Sequence, residues 1–245
     1  MDTIDPEWTG REGNEGMRLD QAGTATTLDE LCARYADRPW RYMFDEFPKE
    51  ERRDAAAAGT VRRIDSGLRT DELIETGYGP YIVVVEGDLV TAGHVDLDTD
   101  DYVPGLVIVT GGLQADSLSY DNGAQIVVGG SADIARVCVG RHGDRNGVFH
   151  VYGELTVPLM AVDLNSTFGA ESFRGLLLAR GRVEGREPDL VEVADNRRLF
   201  PAELLSEYGG LDLPKVIAAA RAGRPLLLPG VAESIPARLL ARPHG

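Results

Sequence analysis

Apolar residues recur along this chain in two rhythms. Up to about residue 80 they fall at helical spacing, from Tyr81 they come in short β-branched runs broken by glycine, and after Asp195 the helical spacing returns. Thr27-Leu28-Asp29-Glu30 forms a capping box, in which the Thr27 hydroxyl serves first-turn amides while Glu30 reaches back. Leu28, Leu31, Cys32 and Tyr35 then share one helical face, so Cys32 reads as core. An aromatic knot of Trp40, Tyr42, Phe44 and Phe47 follows Pro39, and a second helix is predicted from about Pro48 through the alanines at 55–58 to Gly59. Thr70-Asp71-Glu72-Leu73 starts one more short turn. Residues 26–80 therefore read as a helical N-terminal cap. The leader before it, residues 1–25, has few large apolar groups and is expected to be disordered.

The glycine-broken region repeats an apolar-x-Gly-x-apolar core. It recurs at Val85-Glu86-Gly87-Asp88-Leu89, Val109-Thr110-Gly111-Gly112-Leu113, Val128-Gly129-Gly130-Ser131-Ala132, Val151-Tyr152-Gly153-Glu154-Leu155 and Ala179-Arg180-Gly181-Arg182-Val183. The aligned glycines stand 24, 19, 23 and 28 residues apart, with no helical segment inside a unit. Such a period predicts coils that stack strand on strand, with glycine at corners that a Cβ would obstruct. The predicted fold is mainly β: a right-handed β-solenoid over residues 81–194, flanked by helices at both ends as one cooperative unit. The alternative is a β-sandwich, which also has short strands and frequent turns. In the C-terminal cap, residues 195–245, helices are predicted at Pro201 to Tyr208 and Leu213 to Ala222. A final strand is placed at Arg224 to Leu228 and a last turn at Ile235 to Leu240. Helices over both ends would blunt the exposed strand edges and give a monomer or small oligomer rather than a filament.

Charge changes the picture. Forty acids against 25 bases leave a formal net charge of −15. Twelve of the acids lie between Arg69 and Arg136, a stretch with no Lys or Arg. Such a balance argues against direct binding to nucleic acid or anionic lipid and favours either plain solubility or a basic protein partner. Cys32 and Cys138 are too few for a disulfide framework, and no stretch reaches the ~18 apolar residues of a membrane span, so a cytoplasmic protein is expected.

Chemical motifs are scarce. The chain has no G-x-S-x-G elbow and no phosphate loop, and its two lysines are Lys49 and Lys215. His94, His142 and His150 stand 48 and 8 residues apart, a spacing that matches no compact metal-ligand motif, and they read as satisfied or solvent-facing histidines. The run Asp96, Asp98, Asp100, Asp101 fails the EF-hand pattern, since Asp101 and Val107 stand where Gly and Glu are required. No catalytic residue, metal or cofactor is assigned. A carbohydrate-active enzyme would need Arg136, Arg141 or Arg145 to reach these acids from the next coil.

The runs Val84 to Leu89, Val107 to Leu113 and Phe149 to Leu155, with the ending Leu211-Asp212-Leu213 through Ala222-Gly223-Arg224-Pro225, resemble bacterial polymorphic-toxin immunity proteins with a right-handed β-helix core. More distantly the core is similar to bactofilins, which polymerise as scaffolds; the irregular coils and long flanks here depart from that pattern. The first resemblance implies a non-enzymatic protein that covers the active site of a toxin made by the same cell. Physical chemistry points the same way. Toxin domains that act on nucleic acids carry basic clefts, and complementary negative potential speeds their capture. The expected partner-binding residues are Asp96, Asp98, Asp100, Asp101, Tyr102, Asp116, Tyr120 and Asp121, with the two tyrosines as aromatic anchors beside acids.

Overall fold

A computed structural model describes residues 16–141, 147–163, 166–179, 182–183 and 196–231. Its strands wind into a parallel β-solenoid with three faces. Face one stacks Val61–Ile64, Tyr81–Val85, Pro104–Val109, Gly123–Val128 and residues 147–151 and 166–170, with the stub Arg182–Val183 beyond. Face two stacks Leu68–Thr70, Leu89–Thr91 and residues 113–115, 132–134, 154–156 and 172–174. Face three stacks Met17–Arg18, Ile74–Glu75, His94–Leu97 and residues 117–120, 137–140, 159–162 and 176–179. The pairs Val61 to Ile82, Ile82 to Leu106, Leu106 to Gln125, Gln125 to Val148 and Val148 to Thr167 give five turns of 21, 24, 19, 23 and 19 residues by difference. Parallel pairing throughout these coils displaces the sandwich.

Inward side chains stack in columns along the axis. Leu89, Leu113, Ala132, Leu155 and Phe173 form one; Ile74, Val95, Leu118, Cys138, Met160 and Leu177 form another. The solenoid starts one coil earlier than the sequence led us to expect, at Val61 instead of residue 81. Ser66 explains the omission: it holds φ +68° at the place where the next coil has Gly87 at φ +99°, and the corner's glycine, Gly67 at φ +78°, stands one position later than the repeat requires. The 28-residue step is also corrected. Val151 pairs with Ala170 and Glu154 with Ser172, so the coil after Gly153 turns at Glu171 and lacks a corner glycine.

Both flanks are helical, and the helices lie along the sides of the solenoid. Helices α1 (Leu28–Arg34), α2 (Tyr42–Glu46) and α3 (Lys49–Ala58) bring Leu31, Tyr35, Trp40, Met43, Phe44, Phe47 and Ala55 onto the outward Ile82, Val84, Leu106, Ile108 and Val127 of face one. The capping box of α1 forms as predicted, and Tyr42 stays exposed. On the other flank, α4 (Leu213–Arg221) and the segment from Phe200 to Leu205 cover the outward Val137, Val139, Leu159 and Leu176 of face three. The predicted helix at Pro201 to Tyr208 is only a 3-10 turn, Ala202–Leu204, because Leu205 N–H returns to Ala202 O and the chain then extends. Arg224 to Leu228 forms no strand, and Ile235 to Leu240 lies outside the described residues, as do His142, Arg145 and residues 184–195.

Part of the supposed leader is ordered. Met17–Arg18 adds to face three, Leu19 enters the solenoid core, and Thr24–Ala25 pairs antiparallel with Val61–Ile64. The Arg62 guanidinium fixes this segment by donating to the carbonyls of Gln21, Ala22 and Gly23. Residues 1–15 lie outside the description.

Faces one and three are thus buried on both sides of the sheet, whereas outward positions of face two are exposed or half-buried. Truncating outward Leu106 to Ala should therefore cost as much as truncating inward Leu113, about 2–5 kcal/mol each in urea unfolding. Gln114→Ala, on face two, should stay within about 0.5 kcal/mol.

Candidate functional site

A solenoid distributes a contiguous stretch of sequence around its circumference. The basic-free stretch makes up the first coils, and its acids accordingly appear on every side. Asp71, Glu72 and Asp116 sit where face two turns into face three, Glu86 and Asp88 where one turns into two, and Asp98, Asp100, Asp101 and Asp121 where three turns into one. Arginines from outside the stretch reach several of them: Arg34 meets Glu86, Arg221 meets Asp96, Arg136 lies 3.8 Å from Asp116, and Arg141 meets Asp121. The bases that the sequence placed in the next coil, Arg136 and Arg141, do reach back. The Arg34 guanidinium, assisted by the Tyr35 hydroxyl, holds Glu86 down at about 2 although burial opposes this.

Four of the eight expected partner-binding residues are covered or paired. Tyr120 is fully buried: strand alternation turns it inward with Leu118, its ring rests on the backbone of Gly140 in the next coil, and its hydroxyl donates to Thr167 O at 3.2 Å. It cannot act as a surface anchor. Asp96 and Asp121 are occupied by arginines, and Asp116 faces Arg136. Asp98 is half-buried, accepting from Thr99 N–H at 2.8 Å and from the Asn122 amide at 3.4 Å. Burial, with the negative charges of Asp121 and Asp96 beside it, pushes its carboxyl up to about 6.

Asp100, Asp101 and Tyr102 do come together at the surface. Tyr102 is 66% exposed, and Tyr78, 54% exposed, lies one coil away beneath the same corner. The corner is pinned by its neighbours. Asp100 N–H donates to Tyr78 O at 2.7 Å, Val103 N–H closes onto Asp100 O at 3.0 Å, and Asn122 of the following coil donates to Thr99 O at 2.7 Å. Tyr102 itself holds φ +62°, a left-handed turn conformation that neighbouring bonds must maintain.

Sequence reading missed a buried network on face three. His94 and Asp96 point outward from one coil, Ser117 and Ser119 from the next, and register sets Ser117 beside His94 and Ser119 beside Asp96. Aligning the second strand of each repeat would have shown this pairing. Ser119 Oγ donates to Asp96 Oδ1 at 2.7 Å, so its oxygen accepts from His94 Nε2–H at 2.8 Å; Nδ1 then accepts from Ser117 Oγ, also at 2.8 Å. Burial holds His94 down at about 4, opposed by Asp96 and reinforced by Arg221, which keeps the imidazole neutral at pH 7. Burial also opposes ionisation of Asp96, but Arg221 and the Ser119 hydroxyl overcome it and leave that carboxyl below its usual range. The residue types are those of a nucleophilic relay. Ser117, however, is 0% and His94 5% exposed, beneath the C-terminal flank that carries Arg221. This arrangement joins α4 to the solenoid and presents no oxygen to a substrate. Arg136 strengthens the joint by donating to Ala220 O at 2.7 Å and to Arg224 O. Among the described residues no cluster of His, Cys, Asp or Glu is arranged to hold a metal, and no helix is long and apolar enough to cross a membrane.

His94 and Asp98 should give opposite pH dependences. His94 titrates near 4 when folded and 6.5 when unfolded, so the unfolded chain binds the extra proton and stability falls as pH drops through that window. His94→Gln should flatten this loss, worth about 2–3 kcal/mol. Asp98 is raised from 3.8 to about 6, so its folded form binds the extra proton and stability falls as pH rises through that range. Asp98→Asn should raise Tm by about 2 °C at pH 7, after discounting for partial exposure, and change it little below pH 4. Thermal unfolding at several pH values checks both. No family model matches the chain, and comparison with curated proteins and with solved structures gave no match.

Proposed function

We propose that this protein is a non-enzymatic binding protein that inhibits a basic partner, a nucleic-acid-acting toxin domain of the cell that makes both, by covering its active site in the cytoplasm. The observation that carries this reading is the corner of Asp100, Asp101 and Tyr102 with Tyr78: two acids and two exposed aromatic rings on backbone held from both neighbouring coils. Aromatic anchors next to acids suit a basic, partly apolar cleft. A pinned loop loses little conformational entropy on docking, and the surplus of 15 negative charges accelerates encounter. The scaffold alternative is weakened because the outer edge of the first face-one strand carries the antiparallel Thr24–Ala25, so another solenoid cannot stack on it there in parallel register.

The test is co-purification with the product of an adjacent toxin-like reading frame, followed by affinity measurements at several salt concentrations. Asp100→Lys with Asp101→Lys should weaken binding by about tenfold or more and reduce its salt dependence, without lowering Tm. Asp98 is left unchanged because it is half-buried. Unchanged affinity would remove the corner from the interface, and failure of any basic neighbour to bind would remove the proposal.

A further inference from the structure

We infer that face two is a second docking surface, one that takes an extended basic segment of the partner laid along the solenoid axis. The inference rests on the inhibitory-binding reading and adds where, and by what kind of segment, the partner is held. Parallel sheets ordinarily have both faces covered. Among the described residues the chain's helical flanks cover faces one and three, and neither flank's apolar cluster includes a residue of face two.

The outward row of face two runs Arg69, Val90, Gln114, Asp133, Thr156 and Arg174, one residue per coil, with bases only at its two ends. Between them lies a cleft of about 350 Å3, lined by sheet and corner residues that include the exposed Asp133, Asp88, which accepts from Gly112 N–H at 2.7 Å, and Glu154, which is ion-paired with Arg174 at 2.8 Å, a surface pair that an incoming base can exchange. Small residues at Gly112 and Ser131 give it depth, and the outward Val90 supplies apolar lining for an aliphatic stem. Adjacent coils are about 4.8 Å apart, so these carboxylates follow one another at one to two coil spacings, roughly 5–10 Å. Lysine or arginine side chains two residues apart on an extended segment are about 7 Å apart and fall within that range. A three-sided coil also sets the Asp100 corner opposite face two. A compact domain seated on the corner therefore leaves face two uncovered, and an extended arm is the element that reaches it.

The probe is a fluorescently labelled octalysine peptide, titrated by anisotropy against the full chain at low salt. Two double variants are compared, Asp133→Lys with Glu154→Lys on face two and Asp100→Lys with Asp101→Lys on the corner. Each adds four charges and takes the net charge from −15 to −11, so diffuse attraction is matched. The face-two pair should lose about tenfold in affinity and the corner pair less than about threefold. Asp133→Asn with Glu154→Gln should reproduce the direction of the loss, and thermal unfolding confirms that each variant is folded. Equal losses for the two pairs, a larger loss at the corner, or no peptide binding by the parent chain would overturn the inference. Binding of the toxin domain that survives the face-two pair but not the corner pair would overturn it while leaving the inhibitory reading intact.

Discussion

Everything in this molecule depends on coil-to-coil register. Each turn must set an apolar side chain directly above the one below, because a mismatch of one residue turns its strand's side chains to the wrong side. Leu89, Leu113, Ala132, Leu155 and Phe173 keep this register on face two although the turns between them vary from 18 to 24 residues. The variation is absorbed at corners and at local register shifts such as those within residues 151–154 and 156–159, which leaves the columns intact. A parallel stack also exposes an outer surface on every face. Where that surface is apolar it requires a second layer, which is why Ile82, Leu106 and Val127 need the aromatic knot and Val139 and Leu159 need the C-terminal flank.

How much was legible follows from the same geometry. Glycine spacing revealed the turns wherever glycine sits at the corner, and the helical rhythm of Leu28, Leu31 and Tyr35 gave α1 with its cap. The first coil was hidden because Ser66 takes the left-handed conformation at the repeat's glycine position and Gly67 follows one residue late, and the last full coil because Glu171 stands in the corner after Ala170. Tyr120 was misjudged for another reason. Its neighbour Asp121 suggested surface, but parity along 117–120 decides, and an inward tyrosine fits only because Gly140 above it has no Cβ. The network around His94 has no local signature, since its members are 23 and 25 residues away and are joined by stacking alone.

The acids of the basic-free stretch fall into two groups, separated by position. Glu86 faces α1 and Asp96 faces α4, each receiving an arginine from a flank, so these charges hold the helical layers to the solenoid. Asp96 is the more shielded of the two acids, so loss of Arg221 would leave a charge stranded at a seam, whereas the Arg34 guanidinium stays largely in solvent. Asp100 and Asp101 lie exposed at the corner and Asp133 on the open face, and these are the charges that the proposed binding reading assigns to recognition. Net charge alone could not separate the two groups. The coil geometry does, because an acid facing a helical flank is spent within the fold, Asp121 is spent on Arg141 of the next coil, and Asp100, Asp101 and Asp133 are left exposed.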